Sequence, residues 1–210
     1  MRTPNPGSRF GMYERETSET RVYVSVDLDG TGSAQISTGV GFFDHMLTQV
    51  ARHGVIDLVV SATGDLEVDE HHTVEDVGIC LGKAVQQALG DMRGVNRYGW
   101  AIVPMDESLA MCAIDFSGRP LLAFDAQFQR ERVGQMPTEL AAEFFRAFVN
   151  HAHATLHLRL LQSGNDHHAI EALFKAFAKA LEMATRFHPR HSATPSTKGY
   201  IEGTEPPSGL

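Results

Sequence analysis

The chain has little of what marks a secreted, membrane-spanning or nucleic-acid-binding protein. It has only two cysteines, Cys80 and Cys112, each inside an apolar segment, which argues against a disulfide framework. Basic residues are outnumbered, 18 against 26 acidic ones, and the net charge of -8 leaves no basic footprint for nucleic acid or an anionic membrane. No apolar run approaches the roughly 20 residues of a membrane span, and Met1–Gly7 lacks the apolar region of a signal peptide. We therefore expect a globular, cytoplasmic protein with no membrane and no nucleic-acid partner.

Histidine is the residue that the chain has in excess, with eleven copies against a single tryptophan. Two histidine-containing segments match each other: residues 69–75 read DEHHTVE and residues 165–171 read NDHHAIE. Their chemically important positions are equally separated, since 167 − 71, 168 − 72 and 171 − 75 each give 96. Two copies indicate an internal duplication rather than a solenoid, which needs about three repeats or more.

Each matching segment is predicted to begin a long helix. Apolar residues follow it at offsets of three and four, which is the spacing of one helical face. An aspartate stands in a capping-like position before each helix, Asp69 in the first copy and Asp166 in the second. The apolar stripes correspond residue by residue, with Val74, Val77, Leu81 and Val85 in the first and Ile170, Leu173, Phe177 and Leu181 in the second.

Weaker similarities extend the repeat upstream of these helices. Residues 26–30 resemble residues 114–118, each as the end of a strand followed by a turn. Each half also carries a second predicted helix and then an alternating strand: about 41–53 with 55–63, and about 138–152 with 155–161. We expect an α+β fold, in which two copies of a mostly antiparallel or mixed sheet with two helices pack by a pseudo-twofold.

The repeat also sets the expected boundaries along the chain. The first half covers residues 1–95 and the second residues 96–187, with the junction near Gly90 to Gly99. Residues 188–210 are rich in Pro, Ser, Thr and Gly, which predicts a mobile tail rather than a packed one. Its segment Ser196–Gly199 is a candidate for closing over a ligand.

The paired motifs predict a metal site. Residues four apart on a helix share a face, so His71 points with Glu75, and His167 points with Glu171. The adjacent histidines, His72 and His168, diverge by about 100° and are free to complete the opposite sites. Imidazole and carboxylate without thiolate favour Mn, Fe, Co, Ni or Zn over Ca or Mg. Because two identical motifs are present, the pattern indicates two metal ions.

A metal site with these ligands is compatible with at least three functions. A di-metal hydrolase would use a metal-bound water to attack an ester or phosphate. A structural metal would join subunits or halves without chemistry. Histidine-rich metal storage is the third reading, which the ordered repeat disfavours.

The same residues carry a family resemblance. Residues 69–78 and 165–176 resemble the two motifs of the imidazoleglycerol-phosphate dehydratases, and residues 41–47, 115–120 and 196–199 also match that family. The resemblance covers about residues 9 to 200. It implies an α+β fold like the second domain of ribosomal protein S5, and a homo-oligomer that is a 24-mer in the family, with sites shared between subunits.

The resemblance also implies two manganese ions per active site. Carried over by position, one ion takes His45, His72, His167 and Glu171. The other takes His71, Glu75, His168 and residue 143, which is Glu143 here and histidine in some family members.

The implied reaction removes water from D-erythro-imidazole glycerol phosphate to give imidazole acetol phosphate, in L-histidine biosynthesis. Glu19 and Glu171 are then the candidate acid and base. The residues implied to hold the phosphorylated substrate are Glu19, Gln49, Arg97, Arg119, Thr197 and Lys198. Arginine forks and a lysine point charge suit a phosphate dianion.

The expected mechanism explains the two metals. The hydrogen to be lost lies on a carbon without an adjacent carbonyl, so the imidazole ring must supply the electrons. Two Mn ions on the two ring nitrogens would favour imidazolate, because a cation stabilises the deprotonated form. Our hypothesis is that imidazolate expels the neighbouring hydroxyl to give a diazafulvene. A carboxylate then takes the adjacent C–H proton.

Overall fold

The structure is a computed structural model that describes residues 9–202. The predictions made for Met1–Gly7 and for residues 203–210 lie outside the described residues. Within the described range no helix is both long and apolar enough to cross a membrane. Both cysteines are buried and unpaired, as the sequence indicates.

Four helices and ten strands make up the described chain. The helices are α1 (Gly41–Gly54), α2 (His71–Leu89), α3 (Leu140–Ala152) and α4 (Asp166–Thr185). The strands of the first half are β1 (Phe10–Glu16), β2 (Thr20–Asp27), β3 (Ala34–Ser37) and β4 (Asp57–Gly64). Those of the second are β5 (Tyr98–Met105), β6 (Ser108–Asp115), β7 (Leu121–Asp125), β8 (Arg132–Val133), β9 (Met136–Pro137) and β10 (Thr155–Gln162).

The two large sheets have the same topology. Their strand orders are β1-β2-β4-β3 and β5-β6-β10-β7, with the last pair parallel and the others antiparallel in each sheet. The registers match too, because Phe10 pairs with Asp27 and Tyr98 pairs with Asp115, each 88 residues later. The mixed sheets and two helices per half are those expected from the sequence, and the small β8–β9 hairpin is an addition to the second half.

The helices lie between the sheets and pair across the two halves. The long helix α2 packs on β1 and β2 and against α3, while α4 packs on β5 and β6 and against α1. The core between them is rich in phenylalanine, with Phe144 in ring contact with both Phe43 of α1 and Phe174 of α4. Since each half needs the other to cover its helices, the two repeats share one hydrophobic core.

One helix start differs from the prediction. Asp69 does accept a hydrogen bond from the backbone N–H of His71, at 2.8 Å. In the second copy, however, the cap is Asn165, which accepts from the N–H of His167 at 2.9 Å. Asp166 is instead buried in the first turn and accepts from the backbone of Gln129 and Arg130. The neighbouring polar residue is the better cap because its backbone is extended (ψ 130).

The tail contacts the rest of the chain as far as residue 202, and its mobility stays a prediction. The backbone of Gly94 donates to the carbonyl of Ala193, and His188 donates to the carbonyl of Gly94. Ile201 is 3% exposed, belongs to the hydrophobic core and lines a small cavity together with Leu89 and Phe116. These backbone hydrogen bonds and one buried apolar side chain join the segment to the body, and the polar composition gave no sign of them.

Candidate metal centre

A histidine–carboxylate cluster lies where α1 meets the start of α4. The Nε2 atoms of His45 and His167 each approach Oε2 of Glu171 at 3.3 Å. One ligand atom from each of the three residues lies within 4.8 Å of the others. The helical spacing explains the His167–Glu171 pair, and the crossing of the two helices brings in His45.

The carboxylate of this cluster is held from its other side. Lys175, one turn later on α4, forms an ion pair with Oε1 of Glu171 at 2.6 Å. Burial raises the pKa of Glu171, but the hydrogen bonds from Lys175 and His45 outweigh burial and leave the pKa lowered. The ring of Phe42 packs edge-on against His167 at 5.0 Å between ring centroids. Glu171 is therefore anionic and fixed in place, which suits a metal ligand.

Gln49 lies beside the same cluster. Its Nε2 atom is 3.4 Å from Nε2 of His45, and its Oε1 atom is 3.0 Å from Nε2 of His53. Of the residues implied to hold substrate, Gln49 is thus adjacent to the predicted ligands.

The corresponding region of the first half is less complete. His71 Nε2 lies 3.9 Å from Oε2 of Glu75, again at i,i+4. Glu143 follows His45 by 98 residues, and the C-cap residues of the two helices, Val55 and His153, are also 98 residues apart. Glu143 therefore occupies the place on α3 that His45 occupies on α1. Its carboxylate, however, forms an ion pair with Arg146. Within residues 9–202, no third potential ligand joins His71 and Glu75.

The second histidine of each motif faces away from these pairs and towards a carboxylate. His72 Nδ1 lies 3.1 Å from Asp65 and 3.7 Å from Glu19. His168 Nδ1 lies 3.2 Å from both carboxylate oxygens of Glu107. The backbone N–H of Asn165 also donates to Glu107, which lowers the pKa of Glu107 to about 2.

Apart from Gln49 and Glu19, the predicted substrate residues line one cleft. Arg97, Arg119, Thr197 and Lys198 surround a space of about 750 Å³ beneath the tail. Arg97 is fixed there by Asp115, at 2.7 Å, and by the carbonyl of Pro195, at 2.9 Å. Three cationic or hydroxyl side chains with an anchored guanidinium make this cleft suited to an anion such as a phosphate.

The predicted residues therefore fall into separate groups within one chain. None of the described hydrogen bonds and ion pairs joins the His45 cluster, the Glu19–His72 pair and the Arg97 cleft to one another. Sequence reasoning missed the charged partners Lys175, Asp65, Asp115 and Glu107. Of these four, only Lys175 could have been predicted from local sequence, because it follows Glu171 by four residues on a helix.

The donor set fits the metal that the motifs predict. Two imidazole nitrogens and one carboxylate oxygen converge at His45, His167 and Glu171, without thiolate. Such a set suits a first-row divalent ion, manganese included. The fold and the site together define an internally repeated α+β protein with a histidine–carboxylate centre fitted to a divalent metal.

Comparisons with known proteins give the family. A family model for imidazoleglycerol-phosphate dehydratase matches residues 38–181. The protein of that name from Moorella thermoacetica is 55% identical over 92% of this chain and 99% of its own length. That from Albidiferax ferrireducens is 58% identical over 92% of this chain and 96% of its own length. The chain belongs to the imidazoleglycerol-phosphate dehydratase family, and the prediction of an enzyme of this family is confirmed.

Solved structures agree with this assignment. The imidazoleglycerol-phosphate dehydratase of Staphylococcus aureus N315 matches with a TM-score of 0.77 at 41% identity, over 85% of this chain and 99% of the other. The Pyrococcus furiosus structure, determined with (S)-C348, matches with a TM-score of 0.78 at 33% identity, over 90% of this chain and all of the other. These matches confirm the predicted α+β fold.

Proposed function

We propose that this chain is a hydro-lyase that converts D-erythro-imidazole glycerol phosphate into imidazole acetol phosphate and water, in L-histidine biosynthesis. The observation that carries the proposal is the full-length similarity, 55% over 92% of the chain, to a relative named for this dehydration. The metal-fitted cluster and the anion-fitted cleft supply the two kinds of group that such a substrate needs.

We propose two manganese ions per active site. His45, His72, His167 and Glu171 would hold one, while His71, Glu75, Glu143 and His168 would hold the other. When bound, the metals would polarise the imidazole ring of the substrate and favour loss of its ring proton. The converging donors of the first set support this assignment. In the second set, Glu143 would have to break its ion pair with Arg146 in order to bind the metal.

The division of these ligands within one chain is consistent with self-association. His72 and His168 point away from the ligands with which they are grouped, towards Asp65 and Glu107. Ligands from neighbouring subunits of a homo-oligomer, a 24-mer in the family, would complete each set. The cytoplasmic location stays a prediction.

Arg97 and Arg119, with Lys198 and Thr197, are proposed to bind the substrate phosphate. Arg97 uses three of its five N–H groups on Asp115 and the carbonyl of Pro195. The guanidinium is thereby fixed before a ligand arrives, with two donors remaining. A fixed fork loses less conformational freedom on binding than a mobile lysine.

Glu19 is the better placed of the two candidate acid–base residues. Glu171 is buried, anionic and held by Lys175 on one oxygen and by two histidines on the other. Glu19 is exposed, and its one ion-pair partner among residues 9–202 is His72 at 3.7 Å. We therefore assign proton transfer at the substrate carbon to Glu19, and metal binding to Glu171.

Replacement of Glu19 tests this assignment. Glu19→Gln should lower kcat by at least about 100-fold, because a general acid–base contributes roughly 10²–10⁴ in rate. Its manganese content should equal that of the wild type. The matched control is Glu16→Gln, since Glu16 is an exposed carboxylate of the same hairpin, paired with Arg21 at 3.9 Å.

Turnover of Glu19→Gln near the wild-type rate would contradict the role. Steady release of inorganic phosphate from the substrate would instead favour a di-metal hydrolase over a dehydratase.

A further inference from the structure

The carboxylates that face the two outward histidines are related by the internal repeat. The β1–β2 and β5–β6 hairpins have the same register at an offset of 88 residues, since Phe10 pairs with Asp27 and Tyr98 pairs with Asp115. The same offset takes Glu19 in the first hairpin turn to Glu107 in the second. Glu19 faces Nδ1 of His72, and Glu107 faces Nδ1 of His168.

The two carboxylates nevertheless have different surroundings. Glu107 accepts hydrogen bonds from the N–H of Asn165, at 2.6 Å, and from His168. A Cβ atom added at Gly164 would come within 2.1 Å of Cγ of Glu107, so glycine there gives the carboxylate its space. Among residues 9–202, no backbone N–H donates to the carboxylate of Glu19, which lies farther from its histidine, at 3.7 Å.

A longer loop explains the difference. Residues 65–70 connect β4 to α2, whereas only residues 163–165 connect β10 to α4. The longer loop carries Asp65, which contacts Nδ1 of His72 at 3.1 Å and whose backbone N–H donates to the carbonyl of Glu19. In the first half Asp65 is therefore the nearer carboxylate to the histidine, and Glu19 lies farther from it, at 3.7 Å. In the second half, where the loop is shorter, Glu107 itself contacts Nδ1 of the histidine.

A carboxylate that accepts from Nδ1 fixes which ring nitrogen is left for a metal. An ionised carboxylate has only acceptors, so the proton of this hydrogen bond must lie on Nδ1. In the neutral ring Nε2 then carries the lone pair, and it points to the opposite side of the ring. Such outer carboxylates orient metal-binding histidines and increase their basicity.

We propose that Glu107 is a positioning residue that holds His168 as a ligand through Nε2, and that Asp65 does the same for His72. Glu107 is thus the repeat counterpart of Glu19 with a different task, orientation of a ligand rather than proton transfer. The proposal rests on the proposed function, because it takes the two histidines to be metal ligands.

Manganese titration of the full-length, metal-free protein tests the role of Glu107. Glu107→Ala should weaken one of the manganese sites by about 10- to 100-fold, the usual effect of losing such a partner. Glu107→Gln keeps an acceptor oxygen, so its manganese affinity should lie between that of Glu107→Ala and that of the wild type. Asp106→Asn is the matched control, because it removes a charge from the same turn at 3.8 Å from Nδ1 while asparagine tolerates the positive φ of 49°. Its affinity should stay within about twofold of the wild type.

A second measurement needs no metal. Solid-state NMR of ¹⁵N-histidine-labelled, metal-free protein distinguishes protonated from unprotonated ring nitrogens, and Glu107→Ala should change one ring relative to wild type and Asp106→Asn. Equal affinity and unchanged ring signals in Glu107→Ala would overturn the proposal, as would an equal loss in Asp106→Asn. A wild-type protein that binds no manganese and forms no imidazole acetol phosphate would overturn the proposed function instead, and the ring signals would still decide the Glu107 contact.

Discussion

At the residue scale, the two arginines of the cleft differ in burial and in the groups that hold their guanidinium groups. Arg97 is partly buried and tied to Asp115, and its backbone adopts a positive φ of 70°. Arg119 is exposed, and its guanidinium contacts the carbonyl of Ser117 at 3.3 Å. Loss of Arg97 would also leave Asp115 without its partner, so a change there mixes binding with stability. Arg119 gives the cleaner test of phosphate binding.

Arg119→Ala should raise KM for imidazole glycerol phosphate by about 10- to 100-fold, since a hydrogen bond to a charged group contributes roughly 1.5–3 kcal/mol. The unfolding temperature should not change. Steady-state kinetics measure the change. Arg159→Ala is the control, because Arg159 is an exposed arginine that pairs with Asp125 on the same sheet. Equal KM values in the two variants would exclude Arg119 from the substrate site.

What the sequence predicts at this scale is limited by distance along the chain. The His167–Glu171 pair follows from helical periodicity alone. The Lys175 ion pair extends that periodicity by one more turn. The contact between Glu107 and His168 joins residues 61 apart, and it depends on how a hairpin turn meets a helix start. No local pattern specifies such a meeting.

At the scale of elements, the approach of the first strand to the long helix is repeated in both halves. A Cβ atom added to Gly11 of β1 would lie 1.9 Å from the carbonyl oxygen of Ala84 on α2. A Cβ atom added to Gly99 of β5 would lie 1.9 Å from that of Ala180 on α4. Because backbone cannot rotate away as a side chain can, glycine sets the distance between sheet and helix.

Gly11→Ala and Gly99→Ala should each lower the free energy of unfolding by about 1–3 kcal/mol or more, the usual cost of overpacking. Chemical denaturation measures the change. Gly41→Ala is the control, since a Cβ atom at the first residue of α1 would meet nothing within 4 Å. Stability of the Gly11 and Gly99 variants equal to that of the Gly41 variant would refute the close packing.

The elements themselves are largely readable from periodicity. Helices α1 and α3 and the strands that follow them, β4 and β10, lie within a few residues of their predicted bounds, and α2 and α4 begin at the two predicted motifs. The helix caps are less predictable, because Asn165 and Asp166 are both good capping residues and only the backbone conformation distinguishes them.

At the scale of the whole molecule, two repeats enclose one layer of helices and exchange helix partners across it. Recurrence at a spacing of 96 residues predicts the duplication, but the sequence does not show that α1 packs on α4 and α2 on α3. That exchange places His45 of the first half against His167 and Glu171 of the second. The tail shows the same limit, because Ile201 is one of few apolar residues in a largely polar segment and is nonetheless buried.

The central claim is a metal-dependent dehydration, and one assay tests it most directly. The enol of imidazole acetol phosphate is followed by its absorbance as the purified protein acts on imidazole glycerol phosphate. We expect steady product formation with added Mn²⁺, loss of activity after chelation, and its return when Mn²⁺ is restored. Absence of a manganese-dependent signal from folded protein would contradict the account.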